Sequence, residues 1–292
     1  MAHHSVVAMS DPSILLLGGG YTLLRTAELL PAGSFVITSR NAETRRSFES
    51  KGWLATDFNI ELSASLPSVL GRWPSITTVV DSVPPIRTND NPLIGAEAVS
   101  HAVQKGGIKR LLYLSTTGVY GVTDGSWVDE NTPTNPTQVW GRDRLHAENI
   151  YREMKTVEVS IFRLPAIYGP GRGLEQALQL GSYKLIDNGE RWTNRIHVDD
   201  LAGVLAEGAT TERSIPEIVC VTDDKPVLQR EIVEAYCRKL NLPMPSSVSS
   251  EQAKDAKLFT MLSNQRISNA LMKKSFAWKL KFSSYEKHLE VI

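Results

Sequence analysis

Four aliphatic residues, Ile14–Leu17, run without a break into Gly18, Gly19 and Gly20, and the ten residues that follow, YTLLRTAELL, carry helix formers on a mixed apolar and polar face. A fully apolar strand passing at once through a glycine turn into a helix is the opening of a βαβ unit. Glycine in that turn adopts positive φ without a Cβ penalty and lets the backbone approach a pyrophosphate, whose charge the helix N-terminus favours. Gly18 and Gly20 hold the first two places of the corresponding pattern and Leu23 holds the third, so the motif is degenerate and the helix is expected slightly farther from the strand. A glycine cluster can also be a tight turn and nothing more; its position after the first strand favours a dinucleotide.

The rhythm continues through apolar runs at Phe35–Thr38, Trp53–Ala55, Thr77–Asp81, Arg110–Leu114 and Val159–Arg163, with helical stretches at Thr22–Leu30, Ala42–Lys51 and Ile94–Lys105. Such alternation predicts an α/β fold with a doubly wound parallel sheet of the Rossmann type. Beyond Arg163 it loosens to one further strand, Glu217–Val221, a helix at Val227–Leu240 and a loop at Asn241–Ser250. A chain of 292 residues with 41% hydrophobic content can bury one large core, or one core and a lesser lobe. The expected organisation is a tail at 1–10, an NAD(P)-binding domain at 11–168 and a small C-terminal substrate lobe at 169–292, partly interleaved with the sheet.

Charge narrows the partners. Lysine plus arginine and aspartate plus glutamate each number 32, so no general attraction to nucleic acid or to an anionic membrane is expected. Cys220 and Cys237 lie in no metal-ligand spacing, which suits free thiols in a reducing compartment. No apolar run approaches the roughly 20 residues that span a bilayer. The cytoplasm is the expected location and a small molecule the expected partner.

The second strand ends in VITSRN, with Ser39 and Arg40 where an acidic residue usually meets the adenosine ribose of NAD. A small hydroxyl and a guanidinium suit a 2′-phosphate that an aspartate would repel, so NADP is preferred over NAD. Arg40, Arg45 and Arg46 also read as solvated surface charges. Asp57, just after the third strand, is placed either to meet the adenine amino group or to form a turn.

Three later segments, YLSTTGVYG (Tyr113 to Gly121), RLPAIYGPGR (Arg163 to Arg172) and RIHVDDLA (Arg195 to Ala202), resemble, in order, signatures of the extended short-chain dehydrogenase/reductase family, in its epimerase/dehydratase branch. DSVPP (Asp81 to Pro85) and NQRISNALM (Asn264 to Met272) resemble an atypical subgroup of the same family. The resemblance implies a nicotinamide cofactor across the strand C-termini, with Tyr21, Thr22, Ser82, Val83 and Pro84 on the cofactor side and Pro165 shaping the wall beside the nicotinamide. It implies a hydroxylated or carbonyl substrate above, hydrogen-bonded by Thr116 with Ser115 assisting. A homodimer through the helices near Ile94–Lys105 and Arg144–Met154 is expected by the same analogy. At His197, Asp199 and Asp200 it implies docking of the lobe and an aspartate cap on a helix rather than a metal site.

One departure bears on chemistry. The family carries Tyr-x-x-x-Lys on one helical face, the lysine helping to lower the tyrosine pKa for proton transfer. The matching segment here is WGRDRLHAE, with Trp140 in place of the tyrosine and Arg144 in place of the lysine. Indole has no ionisable proton at useful pH, whereas the arginine fork keeps the charge that grips a ribose or phosphate. A Tyr-x-x-x-Lys string at Tyr151–Lys155 lies about 16 Å farther along the helix and reads as a surface pair. Tyr120 and Tyr168 are the candidate substitute acids, or else packing aromatics. The functional readings are an NAD(P)-dependent oxidoreductase or epimerase/dehydratase-like enzyme, a catalytically silent NADP-binding sensor, and an enzyme that keeps the fold but runs non-redox chemistry with another acid such as Tyr120.

Overall fold

The computed structural model describes residues 11–62, 64–86, 94–256, 258 and 262–292. Seven strands, β1 (Ile14–Leu17), β2 (Phe35–Thr38), β3 (Leu54–Thr56), β4 (Thr78–Asp81), β5 (Arg110–Thr116), β6 (Glu158–Leu164) and β7 (Ile218–Cys220), form one sheet in the order β7-β6-β5-β4-β1-β2-β3. Every pairing in it is parallel. Parallel strands need both faces covered, which is why β1, β2 and β4 are buried along their whole length.

Period-two alternation sorts their side chains to two cores. Leu16, Ile37, Leu112 and Phe162 pack with helices α1 (Tyr21–Ala27) and α6 (Val198–Thr210). Leu15, Leu17, Val36 and Leu111 pack on the other face with α3 (Ser65–Arg72), α4 (Ile94–Lys105) and α5 (Val139–Arg152). Leu23, at the third place of the glycine pattern, is fully buried in the first of these cores, and α2 (Ala42–Ser50) adds Phe48 to it.

The C-terminal half both joins the sheet, through α6 and β7, and builds a third core from Leu174, Leu185, Ile232, Val233 and Tyr285. Three expectations change there. Val227–Leu228 pairs as a strand with Trp192–Thr193, so the helix begins at Gln229. Within the stretch read as a loop, Ser247–Val248 pairs with Leu185–Ile186, and Ser249 closes a capping box on the helix Ser250–Asp255. The cap of α6 is the His197 side chain, whose Nδ1 accepts from Asp199 N at 3.2 Å, and not an aspartate.

Asp200 instead anchors the C-terminal arm, accepting from Trp278 Nε1 at 3.0 Å, Lys281 N at 2.7 Å and Phe282 N at 2.8 Å. One and two helical turns on, Gly203 leaves room for the Trp278 indole, which would stand 2.2 Å from a Cβ there, and Glu207 accepts from Ala277 N and Trp278 N. Among the described residues of α4 and α5 the exposed positions are polar apart from Val139: Glu97, His101, Gln104, Arg142, His146, Asn149 and Arg152 among them. Among the described residues no helix is long and apolar enough to cross a membrane.

Candidate functional site

At the carboxyl end of β1 the chain turns through Gly18 at φ +91°, a value that excludes most side chains. A Cβ there would also fall 2.8 Å from Ser82 Oγ, at the end of β4, whose hydroxyl lies 2.9 Å from Leu17 O and 3.1 Å from Gly18 O. Gly18 N donates to Thr38 Oγ1 at 2.9 Å, tying the turn to the end of β2. Gly20 differs: a Cβ on it meets nothing within 4 Å, because it faces a cavity of about 570 Å³. A larger side chain would occupy that cavity.

The cavity runs across the strand ends, where open α/β sheets bind their ligands. Gly20, Tyr21, Thr22, Ser82, Pro84, Ser115, Thr116, Trp140, Arg144 and Pro165 all line it. Val83 and Gly18 stand behind this lining, with Val83 Cγ2 3.4 Å from where a Cβ on Gly18 would sit. The second strand end lies beyond it. Ser39 Oγ accepts from Asn41 N at 3.2 Å, and Arg45 Nη1 folds back onto Ser39 O and Arg40 O at 2.8 and 3.1 Å. Arg45 thus holds the loop, while Arg40 is exposed and its guanidinium makes no hydrogen bond or ion pair among the described residues. Asp57 is exposed just past β3.

A second cavity, about 350 Å³, opens on the other side of Trp140 towards the lobe. Thr116, Trp140, Leu164, Pro165 and Ile167 line both. The indole stands on Gly118, where a Cβ would lie 2.2 Å from its ring, and its Nε1 is buried without a partner. Thr116 Oγ1 accepts from Gly118 N at 3.1 Å, which leaves its hydroxyl proton available at the junction. The neighbouring Ser115 Oγ is committed to the fully buried Glu148, 2.5 Å away, which also pairs with Arg163 at 2.7 Å. Arg144 Nη1 donates to Leu114 O at 2.7 Å and to Tyr113 Oη at 3.1 Å, so one arm of the fork is tied to β5 while the residue still lines the first cavity.

The tyrosines fall elsewhere than expected. Tyr120 is fully buried, its hydroxyl 3.0 Å from Cys220 Sγ and its ring under the Arg163 guanidinium, and it lines neither cavity. Burial pushes its pKa far up and the Cys220 thiol up to about 12, which suits inert packing rather than proton transfer. Tyr151 is not on the surface: it is 1% exposed, packs edge-on to Tyr113 and donates to Asp81 Oδ2 at 2.8 Å. Burial holds that aspartate up at about 6 despite the hydrogen bonds from Val83 N and Tyr151. Tyr168 does line the second cavity, with its hydroxyl unpartnered and its pKa raised by burial. Sequence reasoning missed Arg172 and Asp143 on the first cavity and Asn194 and Gln265 on the second. Arg172 sat inside a quoted signature, and Asp143 follows Trp140 by three residues on the same helical face.

Residues 78–219 match the family model "NAD dependent epimerase/dehydratase family". An uncharacterised protein of Sinorhizobium fredii, y4nL, is 28% identical over 144 residues, which is 46% of this chain and 40% of that protein, so the chain spans well under two thirds of that relative. A conserved protein of unknown function from Silicibacter pomeroyi has a similar structure, with TM-score 0.76, 29% identity and coverage of 96% and 98% of the two chains. The Bordetella bronchiseptica enzyme WbmG, solved with NAD and UDP, shares the fold at TM-score 0.77 and 18% identity, over 98% of this chain and 94% of that one. With its seven-stranded parallel sheet and its match to that family model over residues 78–219, the chain shares the Rossmann-like fold of these structures and is similar to the NAD-dependent epimerase/dehydratase family.

Proposed function

We propose that the protein binds a nicotinamide dinucleotide in the cavity across the strand ends and a hydroxylated or carbonyl compound, sugar-derived, in the adjoining cavity, as an oxidoreductase of the epimerase/dehydratase type. The observation that carries this reading is the shared wall. Two cavities of ligand size meet at Thr116, Trp140 and Pro165. The residues fit the dinucleotide: Gly20 leaves open the volume a Cβ would fill, Thr22 and Ser82 supply hydroxyls, and Arg144 and Arg172 supply charge. Bound there, a nicotinamide supplies the hydride acceptor or donor. Arg40, with its guanidinium free beside Ser39, favours NADP over NAD. The sugar reading draws on WbmG, described with UDP, and on UDP-glucose 4-epimerases among the relatives.

The groups at the shared wall orient and do not titrate. None of the five shared residues ionises near neutral pH, so the Thr116 hydroxyl is a hydrogen-bond donor to a substrate oxygen and the Trp140 indole a wall beside it, and neither is a base. That same observation favours the second reading, a silent NADP-binding sensor. The carboxylate that lines the dinucleotide cavity is Asp143, which makes it the remaining candidate base.

Turnover of UDP-glucose in the presence of NAD or NADP separates the readings. Native turnover is expected to be low, and Trp140→Tyr with Arg144→Lys is expected to raise it by up to about 10²–10⁴-fold, the range that general acid–base help supplies. A fall on restoration places the base elsewhere, with Asp143→Asn as its test. Inactivity of every form with NADPH binding intact favours the sensor. Robust native turnover refutes it.

A further inference from the structure

We propose that Arg172, carried by the C-terminal half, closes over the pyrophosphate of the bound dinucleotide and is a binding residue for NAD and NADP alike. The inference rests on the dinucleotide reading of the larger cavity and adds to it a ligand-gripping group from outside the nucleotide-binding strands.

The display of Arg172 is rigid. Pro170 and Gly171 form the middle of a turn closed by two backbone hydrogen bonds, Gly169 N to Arg172 O at 3.1 Å and Arg172 N to Gly169 O at 3.0 Å. Proline followed by glycine at φ +72° is the sequence of a type II turn. The turn is fastened to the start of α1, because Tyr21 Oη donates to Pro170 O at 3.1 Å. Gly169, at φ +147°, lets the two segments approach: a Cβ there would fall 2.8 Å from Tyr21 Oη and from Val198.

On this platform the Arg172 guanidinium lies 5.2 Å from the Tyr21 ring centroid and lines the cavity beside Gly20 and Thr22. It is exposed and makes no hydrogen bond or ion pair among the described residues. A guanidinium held in place by its turn and an aromatic face, with its donors uncommitted, is preorganised for a planar, bidentate anion contact. The position selects the anion. Ser39 and Arg40, at the adenosine end, do not line this cavity, whereas Gly20, whose missing side chain opens it, does. The group within reach is therefore the pyrophosphate common to both cofactors, not the 2′-phosphate of NADP.

Fluorescence titration of the full chain with NADPH and with NADH tests this. Arg172→Ala is expected to weaken both by the same factor, roughly tenfold to a hundredfold for a lost charge-assisted contact, and to leave the ratio of the two affinities unchanged. Arg172→Lys is expected to recover part of the loss, and raised salt to shrink the difference between wild type and Arg172→Ala. Because the side chain is exposed, the melting temperature of the unliganded variant is expected to match wild type. Unchanged affinities in Arg172→Ala overturn the proposal, as does a loss confined to NADPH, which would put Arg172 on the 2′-phosphate. Failure of the wild-type chain to bind either dinucleotide overturns the site reading itself, and Arg172's role with it.

Discussion

The parallel sheet and the C-terminal arm, residues 277–292, are fastened by different physics. In the sheet, β1, β2 and β5 send aliphatic side chains to two cores, and stability is spread over many contacts, none of which decides the outcome. The arm shares in such packing through Tyr285 and adds a few polar anchors: the buried Asp200 and the partly buried Glu207 of α6 accept from five arm donors, and His197 stacks on Phe282 with ring centroids 3.6 Å apart. Dispersed burial degrades gradually when a side chain is trimmed. A polar anchor fails at once, because its loss strands several donors.

The sheet half has a buried ion pair of its own, and it gives the largest expected effect. Glu148 and Arg163, 0% and 3% exposed, tie α5 to β6. Removing one partner leaves an uncompensated buried charge, so Glu148→Ala is expected to cost about 3–5 kcal/mol in urea unfolding and to lower the whole transition. A cost near zero would mean that water reaches Arg163 and that the sheet half, too, relies on dispersed burial alone.

The arm is expected to fail locally. Asp200→Ala strands the Trp278 indole N–H and two backbone N–H groups, at about 2–4 kcal/mol for a hydrogen-bonded carboxylate. Limited trypsin digestion is expected to cut after Lys279 and Lys281 while far-UV circular dichroism stays near wild type. If the arm stays protected, or the sheet melts with it, the two regions are one cooperative unit and the contrast is broken.

Acid sharpens the contrast least, and its sign can be worked out. His197 is 1% exposed, and burial pulls its pKa down to about 4; burial also lowers that of His288, 5.2 Å away. The unfolded chain takes these protons near pH 6.5 and the folded one only below that, so the stabilisation is full above about 6.5 and is lost as pH falls towards 4. Asp81 runs the other way, since its raised pKa of about 6 gives stability that is lost as pH rises. His197→Asn keeps a helix cap without the titration, so its disadvantage against wild type is expected to shrink by on the order of 1–2 kcal/mol between pH 7 and pH 4.5. A constant difference would show that His197 is not held neutral.

Residues that act through local pattern were legible in the sequence, and residues brought together by distant pairings were not. Ile14–Leu17 and Phe35–Thr38 have the bounds their apolar runs predict, because a strand buried on both faces announces itself. The helix α3 went unread because Pro67 and Gly71 look like breakers, yet the proline sits in the first turn, where its missing N–H is no loss. The glycine turn, Thr116, Trp140 and Arg144 lie on one cavity because they follow strands of a single sheet. The second cavity has no such signal: Asn194 and Gln265 reach it through two-residue strands, and Arg266–Ile267 pairs with Trp127–Val128 from far along the chain. Tyr120 and Tyr151 misled for the opposite reason. Each sits in a suggestive motif, and burial turned each into a packing group.

The most direct test of the account is titration of the chain with NADPH and NADH, followed by cofactor fluorescence, in wild type and Gly20→Val. The open space at Gly20 accommodates the valine side chain in the fold, so the variant is expected to melt normally. Saturable binding in wild type, tighter for NADPH, and loss of both affinities in Gly20→Val are the predicted result. Equal binding by a folded Gly20→Val, or none by wild type, would contradict the placement of the dinucleotide across these strand ends.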